Sequence, residues 1–191
     1  MKFREIAADG ARLMGPDPSL FALAGATARR HHRSMKANPF QHTFSSPVQT
    51  AEGAVALGAL LRAGDVVLLT GDVGAGKTHF ARALIQSLLE TPEDVPSPTF
   101  TLVQTYDTPA GELWHADLYR LTHISEIEEL GLTEAFENDI CLVEWPDRLG
   151  PLAPDQALSL TFEPGETEEA RRMTCHWTDP DWTDRLASWL I

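Results

Sequence analysis

The sequence predicts an α/β fold. Three observations predict it: a globular composition, strand-like and helix-like segments that alternate from residue 41 to about residue 106, and one buried-type strand that leads through a glycine-rich turn into a helix. Of the 191 residues, 43% are hydrophobic and 23% are charged, which is close to the average of soluble globular proteins. This length fits one domain.

The first predicted elements lie between residues 41 and 90. A short strand at 41–45 precedes an Ala/Leu-rich helix at 47–61, for which Ser46 is a suitable N-cap. Residues 65–70 form a continuous apolar run with β-branched members and no alternation, which is typical of a strand buried on both faces. The helix that follows the glycine-rich turn is predicted over 77–90.

The later elements are predicted from shorter apolar and alternating runs. No repeat is evident at any period from about 20 to 50 residues, so these segments belong to one non-repetitive domain. The predicted strands are 100–106, 113–117, 140–144, 158–162 and 170–177, and the predicted helices are 124–130 and 180–190.

Charge separates the first forty residues from the rest. Residues 1–40 carry seven basic and three acidic residues, a net charge of +4, whereas the whole chain carries −13, so residues 41–191 carry −17. We expect an N-terminal extension over 1–40 that is flexible or dispensable, and a single domain over 41–191. An alternative is that the physiological chain begins at Met35. The apolar run at 20–28 faintly resembles a signal peptide, but acidic residues precede it, and we do not expect secretion.

Composition also limits which cellular compartment and which kinds of partner we expect. A strongly acidic body disfavours direct binding to nucleic acid, because such binding depends on Lys and Arg. No apolar stretch approaches the ~18 residues of a membrane span. Cys141 and Cys175 each lie in an apolar, strand-like run, which favours buried free thiols, with a disulfide as the less favoured alternative. We expect a cytoplasmic protein that meets nucleic acid only through a partner.

A phosphate-binding loop is the sharpest motif. Residues 71–78, GDVGAGKT, match the pattern G-x-x-x-x-G-K-[ST]. Glycines allow the backbone N–H groups to surround phosphate oxygens, and the N-terminus of the following helix adds positive potential. Lys77 is expected to neutralise phosphate charge, and the Thr78 hydroxyl to ligate Mg²⁺. The candidate nucleotide-binding residues are Gly71, Asp72, Val73, Gly74, Ala75, Gly76, Lys77, Thr78 and His79.

The distribution of lysine favours ATP over GTP. A guanine-specific N-K-x-D element needs a lysine downstream of the loop, and no lysine follows Lys77.

An acidic residue is expected as a second protein ligand of Mg²⁺. In proteins with such a loop, this ligand usually lies at the end of a neighbouring apolar strand. Glu144 ends the run ICLVE and is the predicted ligand, although it would also suit a plain strand end. Trp145 beside it lines either the nucleotide pocket or the core.

Asp117 ends a second strand and is the candidate for positioning water. It would orient or deprotonate the attacking water or hold a metal-bound one, and the alternative is a solvated turn aspartate. Alternation places His115 on the same face of that strand, where it is a structural histidine or, less commonly, a proton shuttle. Arg120 is either an arginine finger or an ion-pair partner of Glu126 or Glu128.

The connector at 95–100, VPSPTF, contains two prolines that expose the hydroxyls of Ser97 and Thr99. These hydroxyls would sense a γ-phosphate as a switch loop does, but a rigid connector without function would look similar.

These motifs in this order resemble the bacterial TsaE (YjeE) family of ATPases. The matching segments are 71–78, 97–100 (SPTF), 115–120 (HADLYR) and 144–146 (EWP). The resemblance implies an α/β fold of the P-loop NTPase-like sandwich type, with a central parallel sheet flanked by antiparallel strands and helices on both faces. It also implies that Lys77 and Thr78 hold phosphate and Mg²⁺, that Glu144 ligates the metal, and that Asp117 is needed for ATP hydrolysis. Lys77, Asp117 and Glu144 are therefore the catalytic candidates.

The same resemblance implies a role in forming threonylcarbamoyladenosine next to the anticodon of ANN-decoding tRNAs. The implied partners are the TsaB and TsaD proteins, with tRNA met only through their complex and no membrane involved. Two alternatives use the same loop. One is a small-molecule kinase, for which the segment 90–100 is short; the other is a nucleotide-gated binding module with negligible turnover.

Overall fold

A computed structural model describes residues 40–189 of the chain. The predicted extension therefore lies outside the described residues, apart from Phe40. Within these residues the chain forms seven strands, five α-helices and one 3₁₀ helix, which follows the fifth strand. In chain order they are β1 Phe40–Phe44, α1 Pro47–Gly58, β2 Val66–Thr70, α2 Lys77–Leu88, β3 Val103–Thr108, β4 Gly111–Asp117, α3 Ile124–Glu129, α4 Leu132–Asn138, β5 Ile140–Glu144, the 3₁₀ helix Pro146–Leu152, β6 Leu158–Pro164, β7 Arg171–His176 and α5 Pro180–Leu186.

All seven strands form one mixed sheet in the order β1-β7-β6-β2-β5-β4-β3. The four central strands β6, β2, β5 and β4 run parallel to one another. Strand β3 pairs antiparallel with β4 at one edge, and β7 and β1 add two antiparallel pairings at the other. The predicted P-loop NTPase-like α/β architecture, with a parallel centre and antiparallel flanks, is confirmed.

Helices cover both faces of this sheet, and each face has its own core. One core joins α1, α2 and α5 to inward side chains such as Leu69, Leu142 and Leu160. The other joins α3, α4 and the 3₁₀ helix to alternate strand residues such as Leu68 and Val143. Strands β2 and β5 are buried along nearly their whole length, which explains their unbroken apolar runs.

Local sequence signals account for the start of α1. The Ser46 side chain accepts a hydrogen bond from the Gln49 backbone N–H at 3.3 Å, and Pro47 occupies the first helical position, as predicted.

The strand predicted at 100–106 instead begins at Val103. The Leu102 N–H bonds back to the Pro98 carbonyl at 2.7 Å, and Leu102 has a φ of +66°. This tight turn keeps residues 98–102 out of the sheet. Two elements were not predicted, helix α4 and the 3₁₀ helix.

Both cysteines are buried free thiols in the structure, Cys141 in β5 and Cys175 in β7. Burial raises the pKa of each to about 12, because a thiolate is poorly solvated there. Over residues 40–189 the structure has no helix with the length and apolar character needed to cross a membrane.

Candidate functional site

The glycine-rich loop lies between β2 and α2, as its motif requires. Gly71, Gly74 and Gly76 all have positive φ, at +143°, +78° and +106°. A Cβ at Gly71 would lie 2.5 Å from the Phe162 carbonyl oxygen of β6, so no side chain fits there. At Gly74 a Cβ would meet nothing within 4 Å, and its φ alone favours glycine. The first glycine therefore seats the loop on the sheet, and the others bend it toward the start of α2.

Lys77 is the only described lysine and lies inside the loop, 4% exposed. Its Nζ donates hydrogen bonds to the backbone carbonyls of Gly71 at 2.7 Å and Asp72 at 2.9 Å. Within residues 40–189 its ammonium group has no ion-pair partner. Burial lowers its pKa, and nearby carboxylates oppose that shift only partly. A partly desolvated cation without a counter-ion is suited to an incoming anion.

Glu144 is joined to the first turn of α2 through Thr78. The Thr78 hydroxyl donates a 2.8 Å hydrogen bond to Glu144 Oε2. Glu144 ends β5, next to β2, and only 2% of it is exposed. These two oxygen donors, predicted as metal ligands from separate motifs, are thus brought together.

This pair fits a hard cation such as Mg²⁺, which prefers oxygen ligands and usually keeps substrate oxygens in its shell. Within the described part of the chain no three His, Cys, Asp or Glu side chains cluster as a metal site. A magnesium ion here would therefore need further ligands from phosphate and water.

Asp117 lies beside Glu144 because β4 and β5 are parallel and in register. Asp117 and Glu144 are direct Cα partners at the carboxyl ends of these strands. Asp117 is 4% exposed. Its Oδ1 accepts the Tyr119 N–H at 3.0 Å, and its Oδ2 accepts the Thr99 hydroxyl at 2.7 Å. The alternative of a solvated turn aspartate is therefore wrong.

The Pro-rich connector at 95–100 also contacts Asp117. Ser97 and Thr99 have their hydroxyl oxygens 2.8 Å apart, and Thr99 bonds to Asp117. The two hydroxyls thus form a chain to the carboxylate at the end of β4. Whether they sense a γ-phosphate stays a prediction.

Aromatic side chains border the loop. Trp145, in the left-handed region at φ +59°, places its ring centroid 4.2 Å from Lys77 Nζ and 4.8 Å from the Tyr119 ring. Trp145 therefore lies against the phosphate loop while also packing on the second core.

Arg120 stacks on the Phe100 ring with its guanidinium 4.2 Å from the centroid. The predicted ion pair with Glu126 or Glu128 does not form in the described residues. Glu126 instead accepts the backbone N–H groups of Thr122 and His123 at the start of α3.

A cavity of about 340 Å³ opens beside the loop, on the side of α1 and β7. His79 contacts it, and its Nε2 lies 2.9 Å from the Pro47 carbonyl oxygen. Arg171 of β7 also reaches it and donates to the Gly74 carbonyl at 3.3 Å. The cavity is lined by Pro47, Thr50, Gly74, Gly76, Lys77, Thr78, His79, Glu169 and Arg171.

Sequence reasoning missed Arg171 and Glu169. The antiparallel pairing of β6 with β7 brings Arg171 to the loop, and Glu169 lies in the turn that joins these two strands. A wider cavity of about 480 Å³ lies between β1 and α1, and none of the predicted site residues lines it. The larger of these two cavities is therefore not the one beside the phosphate loop.

The mixed sheet, the loop between β2 and α2 and the strand-end acids define a P-loop NTPase-like protein. The sequence profile of the family described as "Threonylcarbamoyl adenosine biosynthesis protein TsaE" matches residues 44–173. The chain belongs to the TsaE family, which acts in threonylcarbamoyladenosine biosynthesis.

Relatives support the same assignment. The TsaE protein of Rickettsia bellii (strain RML369-C) is 39% identical over 123 residues, which is 64% of this chain and 85% of the relative. The TsaE protein of Bacillus subtilis (strain 168) is 36% identical over 125 residues, 65% of this chain and 77% of the relative.

A crystal structure shares the fold. YdiB from Bacillus subtilis superposes with a TM-score of 0.64 over 79% of this chain and 93% of its own, at 23% identity. The family predicted from four short motifs is confirmed.

Proposed function

We propose that this chain binds ATP with Mg²⁺ and hydrolyses it to ADP and phosphate. The observation that carries the proposal is Lys77, buried in a loop of positive-φ glycines without an ion-pair partner in the described residues. In the part of the chain that the structure describes, its ammonium group donates hydrogen bonds only to two carbonyls of the loop itself. Phosphate oxygens would supply the missing negative charge.

The nucleotide would lie along the loop, with its phosphates at the N-terminus of α2. The base and ribose would occupy the cavity beside His79 and Arg171, since this space continues from Gly76 and Thr78. Mg²⁺, held by Thr78 and Glu144 when bound, would neutralise phosphate charge and polarise the phosphoryl group.

In the proposed hydrolysis, the Asp117 carboxylate would position the attacking water. Asp117 lies one strand from Glu144, and its two oxygens are fixed by Thr99 and the Tyr119 N–H. A carboxylate held this way can accept a hydrogen bond from a water molecule and orient it for attack. Lys77 would hold negative charge as it develops on the phosphate.

We further propose that the protein acts in the cytoplasm with the TsaB–TsaD complex. In this role it supports formation of threonylcarbamoyladenosine at the adenosine next to the anticodon in ANN-decoding tRNAs. The net charge of −17 over residues 41–191 opposes direct contact with tRNA and suits docking on a basic partner surface. The tRNA would be met only through the complex.

Phosphate release tests the proposal. We expect Mg²⁺-dependent release of phosphate from ATP, measured with this chain alone and with its cognate TsaB–TsaD, and abolished in Lys77→Ala. Transfer of the γ-phosphate to a small acceptor, with no free phosphate, would indicate the kinase alternative. Tight ATP binding without turnover, both alone and with the partners, would indicate a nucleotide-gated binding module.

A further inference from the structure

A buried histidine contacts the carboxylate proposed to bind the metal. His115 of β4 is fully buried, and its Nε2 lies 3.0 Å from Glu144 Oε1. Register explains the contact: His115 pairs with Leu142, two residues before Glu144 in β5, on the face of the sheet that α2 covers. Glu144 therefore has one partner on each oxygen, Thr78 on Oε2 and His115 on Oε1.

Thr78 and His115 lie in different parts of the fold and constrain Glu144 differently. Thr78 belongs to the first turn of α2 and is itself a proposed metal ligand. His115 belongs to the central sheet and has no atom exposed to solvent. A carboxylate with only the threonine partner could rotate about its last torsion, whereas the histidine fixes Oε1 and leaves Oε2 directed at the loop.

The second ring nitrogen of His115, Nδ1, indicates which way the hydrogen bond to Glu144 runs. Nδ1 is buried and has no hydrogen-bond partner among residues 40–189. Because Nε2 faces a carboxylate oxygen, the hydrogen belongs on Nε2, and the ring donates to Glu144. No relay continues from Nδ1, so the described residues give His115 no route for passing a proton onward.

We infer that His115 is a positioning residue that orients the Glu144 carboxylate for Mg²⁺. The inference rests on the proposed function, since it assumes the metal at Thr78 and Glu144. Partners that hold a metal ligand in place commonly account for roughly 10- to 100-fold in metal affinity. A purely structural histidine would alter stability without changing the magnesium requirement of nucleotide binding.

The test is a magnesium titration of nucleotide binding, read by calorimetry with a non-hydrolysable ATP analogue. His115→Met keeps the approximate volume and removes the donor. His115→Asn keeps a polar side chain whose amide is too short to reach Glu144, whereas the His115→Gln amide can reach it. We expect the Mg²⁺ midpoint to rise roughly 10-fold or more in the Met and Asn variants. His115→Gln should restore it, and nucleotide affinity in EDTA should stay unchanged in all three.

Two control experiments separate an effect on Glu144 from a general loss of stability. Val143→Ala shortens a buried side chain of β5 that packs on the opposite face of the sheet, so it lowers stability without touching the Glu144 carboxylate and should leave the midpoint unchanged. In a Glu144→Gln background, His115→Asn should add no further shift. A matching loss of Mn²⁺ affinity, followed by electron paramagnetic resonance with the bound analogue, would give a second readout.

The failures can be told apart. If the unsubstituted protein binds nucleotide with no Mg²⁺ dependence, the proposed metal site is wrong and the inference falls with it. If that dependence is present but the midpoint is unchanged in His115→Asn and His115→Met, only the inference is overturned. Should His115→Met fail to fold, the comparison of Asn with Gln still decides, because equal shifts in both would show that reach to Glu144 does not matter.

Discussion

The Thr99 hydroxyl donates a 2.7 Å hydrogen bond to the Asp117 carboxylate and so joins the Pro-rich connector to the end of β4. The other carboxylate oxygen is held by the Tyr119 N–H. A carboxylate with both oxygens held in this way has a fixed orientation, yet each oxygen keeps a lone pair for one more donor. This is the arrangement expected of a group that positions water.

Asp117→Ala should separate binding from turnover. We expect ATP affinity to stay near that of the unsubstituted protein, since the loop and Lys77 are intact, while phosphate release falls roughly 100-fold or more. Calorimetry and a phosphate-release assay measure the two quantities. An unchanged rate would make Asp117 structural.

Thr99→Val should reproduce part of that loss. The substitution is nearly isosteric and removes one hydrogen bond that orients Asp117, a contribution of about 1 kcal/mol, which corresponds to roughly fivefold in rate. Binding should not change. The matched control is Thr101→Val, since Thr101 is an exposed neighbour in the same segment. Equal effects of the two substitutions on phosphate release would argue against the orienting role.

Lys77→Ala should abolish ATP binding, or weaken it by roughly 100-fold or more, because hydrogen bonds to charged groups are the strong ones. Calorimetry with ATP checks this. Arg62→Ala is the control, since it removes an exposed cation whose ion pair with Asp181 lies elsewhere. Unchanged affinity in Lys77→Ala would remove the basis of the proposed function.

The sequence predicts well what is local in this fold. Strand β5 has its predicted bounds, because a buried parallel strand shows as an unbroken apolar run. The phosphate loop and Glu144 follow from residue types that recur at fixed offsets from such strands. Asp117 and Glu144 could be named separately, and their meeting follows from parallel pairing of the strands that they end.

Contacts set by sheet order could not be predicted in the same way. Arg171 reaches Gly74 only because β7 pairs with β6, which borders β2. No pattern within the β7 sequence distinguishes this arginine from its neighbour Arg172. Likewise, alternation placed His115 on the right face, but its partner depends on the register between β4 and β5. The late start of β3 depends on the turn at Leu102, an uncommon positive φ at a leucine.

The two cysteines give a prediction that depends on the fold rather than on the nucleotide site. The pKa of Cys141 and Cys175 is raised by burial from 9.0 to about 12. Since the thiolate is the reactive form, its fraction at pH 8 should be roughly 1000-fold lower in the folded protein than in the unfolded chain. We expect almost no labelling by a thiol reagent in native buffer and two labels per chain in guanidinium chloride.

The sign of the pH dependence is fixed by the same shift. Because pH 8 and pH 9 both lie below the raised pKa, native labelling should rise about tenfold per pH unit, without the plateau that the unfolded thiol approaches near its pKa of 9.0. Rapid native labelling that reaches a plateau near pH 9 would show that β5 or β7 opens readily. If the strand that opens is β7, which carries Arg171 to the loop, labelling of Cys175 should slow when nucleotide is added.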